Sequence, residues 1–513
     1  MPYIFCMVKR AKLSDEDRDF FDLVSRAAFC NPFGEERAEL DQKITGCPAD
    51  TPHDECIDWT IRRVQERVLR LAGNGEADLR LYSAQDRQNL QAAFMFDIFH
   101  RVADRFDALI QDQIQLGQVP SPVPFARETL VMFSERGFSF PESIRFFAML
   151  YQIRRAFYFI NRSLIGSSPS MRNLRLHLWN NVFTHDICWY EQYLWNRMED
   201  FSTLLLGETG TGKGTAAAAI GRSGFIPYDE KRGCFTESFT RNFIAINLSQ
   251  FAESLIESEL FGHKKGAFTG AVEHHDGVFT RCTPYGSIFL DEVGDISVPI
   301  QVKLLQVLED RTFMPVGSHR QLRFSGRVIA ATNRPLDEHR RKGQFREDLF
   351  YRLCSDVIVV PPLRQRLREE PKELDRMIAH VVGRLIGEDS EELIQMVREV
   401  IGSELGLGYP WPGNVRELEQ AVRRILLTKR IGPDSGKNIS RDCVPCLFCQ
   451  TENGAMSARE LLEKYCLLLY ERFGNYEEVS RRTQLDRRTV KKYILQGQKV
   501  RQDGFESPTE EPG

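Results

Sequence analysis

The chain is 513 residues long, which allows about three domains, and its formal net charge is −4. That balance excludes a surface that is basic overall, so any DNA contact must come from a local patch. Twelve cysteines are scattered singly, no signal peptide is evident, and no apolar run approaches the ~20 residues that span a bilayer. These features predict a soluble protein of the reducing cytoplasm.

The first part of the chain, residues 1–163, shows amphipathic helical patterning and no catalytic motif. Apolar residues recur at spacings of three and four in 61–71 and 90–110, which predicts helices of one compact module. Asp15 and Glu16 stand together, but no apolar strand precedes them, so we interpret them as a solvated helix start and not as a phosphate-accepting site. We therefore predict a helical regulatory module that responds to an unknown ligand or protein.

A glycine-rich loop lies between an apolar run at 204–206 and an alanine-rich run that begins at Ala216. A strand, a glycine loop and a helix start in this order direct backbone N–H groups at phosphate oxygens, and Lys213 can reach the β and γ phosphates. Gly214 stands where such a loop ordinarily carries serine or threonine for magnesium, so other metal ligands are expected. The residues predicted to surround ATP are Gly207, Glu208, Thr209, Gly210, Thr211, Gly212, Lys213, Gly214 and Thr215.

A second apolar strand, within 286–295, ends in two carboxylates, Asp291 and Glu292. In a P-loop enzyme the first carboxylate holds magnesium and the second polarises the attacking water. We assign Asp291 as the metal ligand and Glu292 as the catalytic base. The sequence thus predicts ATP hydrolysis, with ATP and Mg²⁺ as cofactors.

Between these two motifs, residues 266–271 form a glycine-flanked loop that reads Gly-Ala-Phe-Thr-Gly-Ala. An aromatic residue at an exposed loop tip is unfavourable unless it meets a partner. With this loop, the chain resembles the bacterial enhancer-binding proteins, AAA+ activators of the sigma-54 form of RNA polymerase, from about residue 164 to its C-terminal region. The resemblance implies that the sigma factor is contacted by Gly266, Ala267, Phe268, Thr269, Gly270 and Ala271.

Further positions match that family in sequential order. Asn247 matches the polar residue that couples the catalytic glutamate to the nucleotide, and Asn333 matches sensor I. Arg346 and Arg352 match arginines supplied across a subunit interface, where such a cation raises the rate by about 10³ to 10⁵. This arrangement implies a ring, expected to be a hexamer. Arg416 matches sensor II, which reaches the nucleotide from the lid.

The chain departs from the family pattern in two places. Extra residues lie around 227–240, and the segment before the P-loop carries an aromatic cluster. Both departures are expected to alter subunit packing or the coupling to the N-terminal module. Another aromatic stretch, 138–159, is expected to pack as core or as an interdomain face. The aromatic cluster consists of Trp179, Trp189, Tyr190, Tyr193 and Trp195.

The C-terminal part carries a helix-turn-helix pattern. A helix predicted at 457–473 is followed by a Gly-Asn break and by short helices at 476–482 and 487–495. Residues 457–501 contain 11 Lys or Arg against 6 Asp or Glu, a balance of +5 in an otherwise acidic chain. The pattern resembles the Fis-type DNA-binding end of the same family. The candidate DNA contacts are Arg487, Arg488, Thr489, Lys491 and Lys492.

Two stretches near the C-terminus are expected to be irregular. Residues 432–456 are rich in Gly, Pro and polar residues, which indicates a linker, and 502–513 are expected to be a disordered tail. The linker holds Cys443, Cys446 and Cys449, which could bind a soft metal only if a distant cysteine supplied the fourth ligand. We favour unligated thiols.

Taken together, the motifs predict a multidomain protein that binds upstream DNA, forms a homo-oligomeric ring, and uses ATP to remodel the closed sigma-54 polymerase complex into an open one. The alternative is an AAA+ ATPase that remodels another protein or nucleic acid, with the C-terminal helices as an adaptor; the unaltered 266–271 loop favours the first. The predicted parts are a helical N-terminal module (1–163), an α/β AAA+ P-loop ATPase subdomain (164–362), an α-helical lid (363–431), and an all-α helix-turn-helix end (457–501).

Overall fold

The computed structural model describes residues 11–48, 50–388, 390–406, 408–431 and 457–503. They belong to two compact units, Met1–Ile431 and Gly432–Gly513. The linker predicted at 432–456, with Cys443, Cys446 and Cys449, lies outside the described residues, as do residues 504–513 of the predicted tail.

The first unit begins with helices. Serine side chains stand at the amino ends of α1, α4 and α6 (Ser14, Ser83 and Ser139), where serine satisfies free backbone N–H groups. The helices predicted at 61–71 and 90–110 are confirmed as parts of α3 and α4. The bounds are α1 Asp15–Phe29, α2 Glu35–Thr45, α3 His53–Gly73, α4 Ala84–Leu116, α5 Ala126–Glu135 and α6 Phe140–Ser163.

A five-stranded parallel sheet with the order β4-β5-β8-β1-β9 forms the centre of the first unit. Its inner strands are buried and apolar, as expected when helices cover both faces. The predicted α/β fold is therefore confirmed. The strands are β1 Thr203–Leu206, β2 Tyr228–Asp229, β3 Cys234–Phe235, β4 Phe243–Asn247, β5 Ser287–Asp291, β6 Thr312–Phe313, β7 Leu322–Arg323, β8 Arg327–Thr332 and β9 Asp356–Val359.

The helices around the sheet are followed by a helical lid. The apolar faces of the lid helices close around Trp411, whose side chain is fully buried. The helices that accompany the sheet are α7 Pro169–Phe183, α8 Ile187–Trp189, α9 Lys213–Gly221, α10 Glu253–Phe261, α11 Val278–Arg281, α12 Val298–Asp310, α13 Leu336–Arg341 and α14 Glu347–Leu353. The lid comprises α15 Leu363–Glu369, α16 Glu373–Ile386, α17 Glu391–Glu404 and α18 Asn414–Thr428.

The extra residues at 227–240 pack against the N-terminal module. They contain the short β2-β3 hairpin, in which the Phe235 ring stacks on Tyr151 of α6 at 4.1 Å between centroids. Tyr228 meets Phe147 of the same helix edge-on at 5.0 Å. The aromatic stretch of α6 therefore packs as a face between the N-terminal helices and the ATPase subdomain, and the two share one hydrophobic core.

α6 also contacts the helix that follows the P-loop. Arg155 donates hydrogen bonds to the carbonyl oxygens of Arg222 at 2.6 Å and Gly224 at 2.7 Å, and Gln152 donates to that of Ser223 at 3.0 Å. Burial lowers the pKa of Arg155 to about 10, so its side chain stays protonated near neutral pH. The cation lies at the carboxyl end of α9, where the helix dipole favours positive charge.

The second unit contains three described helices, α19 Ala458–Phe473, α20 Tyr476–Thr483 and α21 Arg487–Asp503. Gly474, in a left-handed conformation, ends α19, and the Asn475 side chain caps α20, so the predicted break is confirmed. α21 continues past residue 495, where the sequence predicted its end. Gly497 lies within it, and one glycine costs only about 1 kcal/mol in a helix interior.

One pair of described cysteines forms a disulfide, although the sequence suggested no pairing. Cys47, which follows α2, forms a disulfide with Cys56 in the first turn of α3, and their Cα atoms lie 6.7 Å apart. α2 packs on α3, and this contact between helices brings together two cysteines whose spacing did not suggest a pair.

Asp15 and Glu16 begin a helix, as predicted. The part of the chain that the structure describes holds no cluster of three or more His, Cys, Asp or Glu suited to a metal ion. None of its helices combines the length and the apolar character needed to span a bilayer.

We expect Arg155→Ala to lower the free energy of unfolding of the first unit by about 2–3 kcal/mol, because the two buried carbonyl groups at the end of α9 lose their donors. Urea denaturation followed by tryptophan fluorescence measures this change. Arg162→Ala is the matched control, since Arg162 lies exposed on the same helix over the Tyr158 ring and contributes about 0.5–1 kcal/mol at most. Equal losses in both variants would contradict a structural role for Arg155.

Candidate active site

The P-loop lies between β1 and α9, at the carboxyl edge of the sheet. Gly210 and Gly212 have φ angles of +80° and +103°, a region that suits glycine. Lys213 begins α9, is buried, and donates hydrogen bonds to the carbonyl oxygens of Gly207 at 2.9 Å and Glu208 at 3.1 Å. Burial lowers the pKa of Lys213, and the carboxylates that follow β5 oppose this shift.

The remaining loop residues differ in exposure. The Thr211 hydroxyl is buried and donates to the Glu208 carbonyl oxygen at 2.9 Å. Thr209, Gly214 and Thr215 are exposed. In the first turn of α9, Thr215 carries a hydroxyl group, and it lines the cavity between the P-loop and the lid.

Asp291 and Glu292 follow one another at the end of β5. Asp291 accepts hydrogen bonds from the Asn247 amide at 3.3 Å and from the Glu292 backbone N–H at 3.1 Å. Burial raises the pKa of Asp291, and the nearby charge of Lys213 lowers it. Glu292 has a φ angle of +58°, which is uncommon for a residue other than glycine and concentrates at functional sites.

Asn247 and Asn333 occupy different places around these carboxylates. Asn247 contacts Asp291, whereas the family resemblance implies that it is coupled to the catalytic glutamate. The backbone N–H of Asn333 donates to the Glu292 carboxylate at 3.3 Å, and its amide donates to the Thr209 hydroxyl of the P-loop at 2.7 Å. Asn333 therefore links the P-loop to Glu292.

The lid binds the P-loop through two residues that sequence reasoning missed. Arg364 pairs with Glu208 through two hydrogen bonds of 2.7 and 2.5 Å, and this pairing lowers the pKa of Glu208. Asn414, at a φ angle of +53°, donates to the Glu208 carboxylate at 3.2 Å and to the Thr209 carbonyl oxygen at 3.1 Å, and accepts from the Leu363 N–H at 2.8 Å.

The two contacts between the lid and the P-loop differ in how much they contribute to the free energy of folding. The side chains of Arg364 and Glu208 are 38% and 44% exposed, and an ion pair this accessible to water contributes about 0–1 kcal/mol. Asn414 is completely buried, so its hydrogen bonds contribute more. The signal in the sequence was an asparagine directly after Trp-Pro-Gly, since asparagine tolerates left-handed backbone conformations.

Residue 210 must be a glycine for two reasons, its backbone conformation in the loop and its close approach to the lid. A Cβ atom added there would lie 2.3 Å from the Gly413 carbonyl oxygen and 3.0 Å from Cβ of Arg416. Arg416 is exposed beside this contact. Its charge contributes, after burial, to the lowered pKa of Lys213, which places this predicted sensor II arginine close to the P-loop lysine.

A cavity of about 120 Å³ adjoins the P-loop. Its apolar side comes from the segment before α7 and from the lid, and its polar side comes from the loop. A concave site of this composition suits a flat ring beside bound phosphates. Its lining includes Leu164, Ile165, Met171, Thr211, Gly212, Thr215, His380 and Arg384.

The 266–271 loop is closed on itself. The Gly266 N–H donates to the Ala271 carbonyl oxygen at 2.8 Å, and the Ala271 N–H donates to that of Phe268 at 3.0 Å. Phe268 is 37% exposed and meets the His263 ring edge-on at 5.0 Å, while Thr269 is exposed. An aromatic ring and a hydroxyl are thus presented at a fixed tip.

The 266–271 loop makes its backbone hydrogen bonds away from the P-loop. It follows β4 and α10, whereas the P-loop follows β1. Its backbone bonds are to its own residues and to Lys264 and Val272, and within the described residues none of them joins the P-loop.

The two predicted interface arginines are bound to their own subdomain. Arg346 is half-buried and pairs with Asp348 through hydrogen bonds of 3.0 and 2.6 Å. Arg352 is half-buried and donates twice to the Leu308 carbonyl oxygen, at 3.0 and 2.8 Å. Within the described residues, neither makes a hydrogen bond or an ion pair with the P-loop of the same chain.

The candidate DNA contacts lie at the start of α21. Arg487, Arg488, Lys491 and Lys492 are exposed, and Arg487 pairs with Glu477 at 3.1 Å. Thr489 differs from them, because it is half-buried and its hydroxyl donates to the carboxylate of Asp486, the residue before the helix.

The chain is similar to known proteins over the part that holds the P-loop and the 266–271 loop. Residues 190–359 match the family described as the Sigma-54 interaction domain. The transcriptional regulatory protein ZraR of Salmonella typhimurium is 34% identical over 336 residues, which cover 64% of this chain and 67% of ZraR. The chain belongs to the sigma-54-dependent transcriptional activators. The resemblance inferred from the sequence is therefore confirmed.

Other activators of this kind match over shorter parts. The Nif-specific regulatory protein of Azotobacter vinelandii is 36% identical over 309 residues, 59% of this chain and 51% of that protein. The hydrogenase transcriptional regulatory protein HoxA of Cupriavidus necator is 41% identical over 227 residues, 44% of this chain and 43% of HoxA. The chain spans about half the length of these two relatives.

The matched domain of this activator contains most of the candidate site. The P-loop, Asp291, Glu292, Asn333 and the 266–271 loop all lie within residues 190–359. The lid residues Arg364, Asn414 and Arg416 and the helices α1 to α7 lie outside the match.

We expect Asn414→Ala to loosen the lid from the P-loop and to lower the free energy of unfolding by about 2–4 kcal/mol, because buried groups lose partners and alanine is strained at this positive φ. Asn414→Gly removes the same hydrogen bonds without the strain, so its loss should be smaller by about 1–2 kcal/mol. Urea denaturation gives both values, and hydrogen exchange at the Leu363 amide reports the local contact. Unchanged exchange in both variants would show that this side chain does not hold the lid.

Proposed function

We propose that this protein activates transcription by using ATP hydrolysis to remodel the closed complex of sigma-54 RNA polymerase into an open one. The observation that carries the proposal is the closed 266–271 loop, which exposes Phe268 and Thr269 at its tip on a domain matched to sigma-54 interaction. The loop is carried by a subdomain whose P-loop lysine and two carboxylates are all in place.

The nucleotide would bind with its phosphates on the P-loop. Lys213 would reach the β and γ phosphates, with Arg416 approaching from the lid and Asn333 from the end of β8. Glu292 would orient and polarise the attacking water. Arg346 would leave its partner Asp348 to approach a nucleotide in the neighbouring subunit of a ring, together with Arg352, and a hexamer is the expected assembly.

The residues around Asp291 fit a magnesium ion. Mg²⁺ prefers oxygen ligands and keeps several waters, so one or two protein oxygens suffice. Asp291 is a partly buried carboxylate whose pKa is raised by burial. A cation beside it would offset the free-energy cost of burying its negative charge. Asp291 would hold the ion together with water and phosphate oxygens, and the ion would neutralise phosphate charge when bound.

The Asn247 side chain provides a route from this site to the loop. Its amide donates to Asp291, and its oxygen accepts from the Ser249 N–H at 3.0 Å, which caps the short turn after β4. α10 and then the 266–271 loop follow this turn in the chain. A change at Asp291 on hydrolysis would therefore act on the segment that carries the loop.

The C-terminal helices would bind an upstream DNA site. α20 and α21 would form its helix-turn-helix, and the exposed cations Arg487, Arg488, Lys491 and Lys492 lie at the start of the second helix. In such motifs, the first residues of the second helix meet base edges and phosphates. The Thr489 hydroxyl donates to the Asp486 carboxylate, which caps this helix, so Thr489 would help to position the contacting side chains.

We expect Glu292→Gln to lower ATP turnover by about 10² to 10⁴-fold while nucleotide still binds, because the amide cannot act as a base. Lys213→Ala should instead weaken nucleotide binding itself. Turnover is measured by phosphate release and binding by fluorescent nucleotide titration. Glu309→Gln, at an exposed position at the end of α12, is the matched control. Wild-type turnover in Glu292→Gln would overturn its catalytic assignment.

We expect Thr269→Ala to abolish open-complex formation on a sigma-54 promoter and to leave ATP turnover largely intact, because within the described residues the loop makes no hydrogen bond to the P-loop. Permanganate footprinting of the promoter measures opening. Val272→Ala changes an exposed residue just outside the loop and should keep both activities. Equal loss of hydrolysis and opening in Thr269→Ala would count against the assigned role of the loop.

A further inference from the structure

A cavity of about 370 Å³ lies among the N-terminal helices, apart from the nucleotide site. Its volume falls within the range of small-molecule pockets and exceeds the voids of a close-packed interior. It opens near His53 and Asp54, which are exposed at the start of α3. Its apolar lining includes Phe33, Phe96, Phe99, Ile153, Phe157 and Trp179.

The two arginine side chains that line the cavity already have partners. Arg37 donates to Asp41 at 2.8 Å and to the Ala27 carbonyl oxygen at 3.1 Å. Arg154 forms a two-fold pair with Asp107, at 2.7 and 2.6 Å. Because both guanidinium groups are neutralised within the protein, an anionic ligand would find no free cation among them and would lose its hydration.

His100 is a polar group available to a ligand. Its ring lies 4.3 Å from that of Phe96 and 5.1 Å from that of Phe99. Burial lowers the pKa of His100 to about 3, and the charges of Arg37 and Arg154 add to this effect, so the imidazole is neutral at physiological pH. Its ring nitrogens make no hydrogen bond to any described residue, and a neutral imidazole can accept or donate one.

Two helices join the cavity wall to the ATPase subdomain. Trp179 lies on α7, and two residues further on the Asn181 side chain donates to Thr203 at 3.0 Å and to Asp356 at 2.5 Å, in strands β1 and β9. Ile153 and Phe157 lie on α6 on either side of Arg155, which contacts the end of α9. A molecule in the cavity would touch both helices.

We propose that this cavity binds a small uncharged aromatic molecule with one hydroxyl or N–H group, and that its occupancy alters ATP turnover through α6 and α7. The aromatic walls favour a flat ring, since aromatic pairs gain beyond simple burial. His100 would take the polar group. The binding site stands by itself, whereas the effect on turnover rests on the ATPase function proposed above.

Binding is tested on the full chain by fluorescence titration with three probes: 1-naphthol, naphthalene and 1-naphthoate. We expect saturable binding of 1-naphthol, about fivefold weaker binding of naphthalene, which lacks the hydroxyl, and binding of the anionic naphthoate that is weaker by about tenfold or more. Naphthoate binding as tight as that of naphthol would overturn the uncharged ligand class, and no saturable naphthol binding would overturn the site.

Two variants locate the probe. His100→Phe keeps an aromatic ring but removes the hydrogen bond, so naphthol should lose about fivefold in affinity while naphthalene is unchanged. His177→Phe, on the exposed face of α7, is the control. Ile153→Trp fills the cavity and should weaken both probes by about tenfold or more. Unchanged binding in His100→Phe and in a folded Ile153→Trp would place the probe elsewhere and overturn the proposal.

The proposed effect of the ligand on ATP turnover is tested by measuring turnover with and without saturating 1-naphthol. We expect a change of about fivefold or more, the usual size of coupling between two sites, and its loss in Ile153→Trp. Saturable binding without any change in turnover would overturn the proposed regulation but not the proposed binding site. A chain without ATPase activity would overturn the function proposed above and the regulation that rests on it, while the three-probe titration still decides the site.

Discussion

The hydrogen bonds that Arg155 donates to the carboxyl end of α9 connect the N-terminal module directly to the helix of the P-loop. The other end of this helix meets the lid, where Asn414 contacts the loop. α9 is thus fixed at both ends by parts of the chain that lie on either side of the matched domain. A shift of α6 would act directly on the end of α9, because hydrogen bonds join the two.

The electrostatics of the nucleotide site depend on this packing. Burial lowers the pKa of Lys213 and raises that of Asp291, so each group lies in surroundings that disfavour its charge. Their proximity offsets part of the cost, and phosphate and magnesium would offset the rest. The 266–271 loop is free of such constraints, since its closure uses backbone hydrogen bonds alone and leaves Phe268 and Thr269 exposed.

Much of the candidate site was predictable because its signals are local. The glycines of the P-loop, the carboxylates after β5 and the Gly474-Asn475 break each need a particular backbone conformation or charge at one point of the chain. The third helix of the C-terminal unit was predicted too short, because a single glycine is a weak stop signal. The Cys47–Cys56 pair was missed because it depends on how two helices pack.

The amino-acid sequence by itself determined the strands before the P-loop and before Glu292, the residues of the P-loop and the composition of the 266–271 loop, since apolar runs and turn residues act over a few positions. Only the tertiary structure decided that Arg155 meets α9, that Asn414 holds the lid, and that aromatic side chains of separate helices enclose a cavity. Arg155 and Gly224 are 69 residues apart, and no local pattern encodes a contact over such a distance. Burial and the direction of a side chain are fixed only when distant elements pack together.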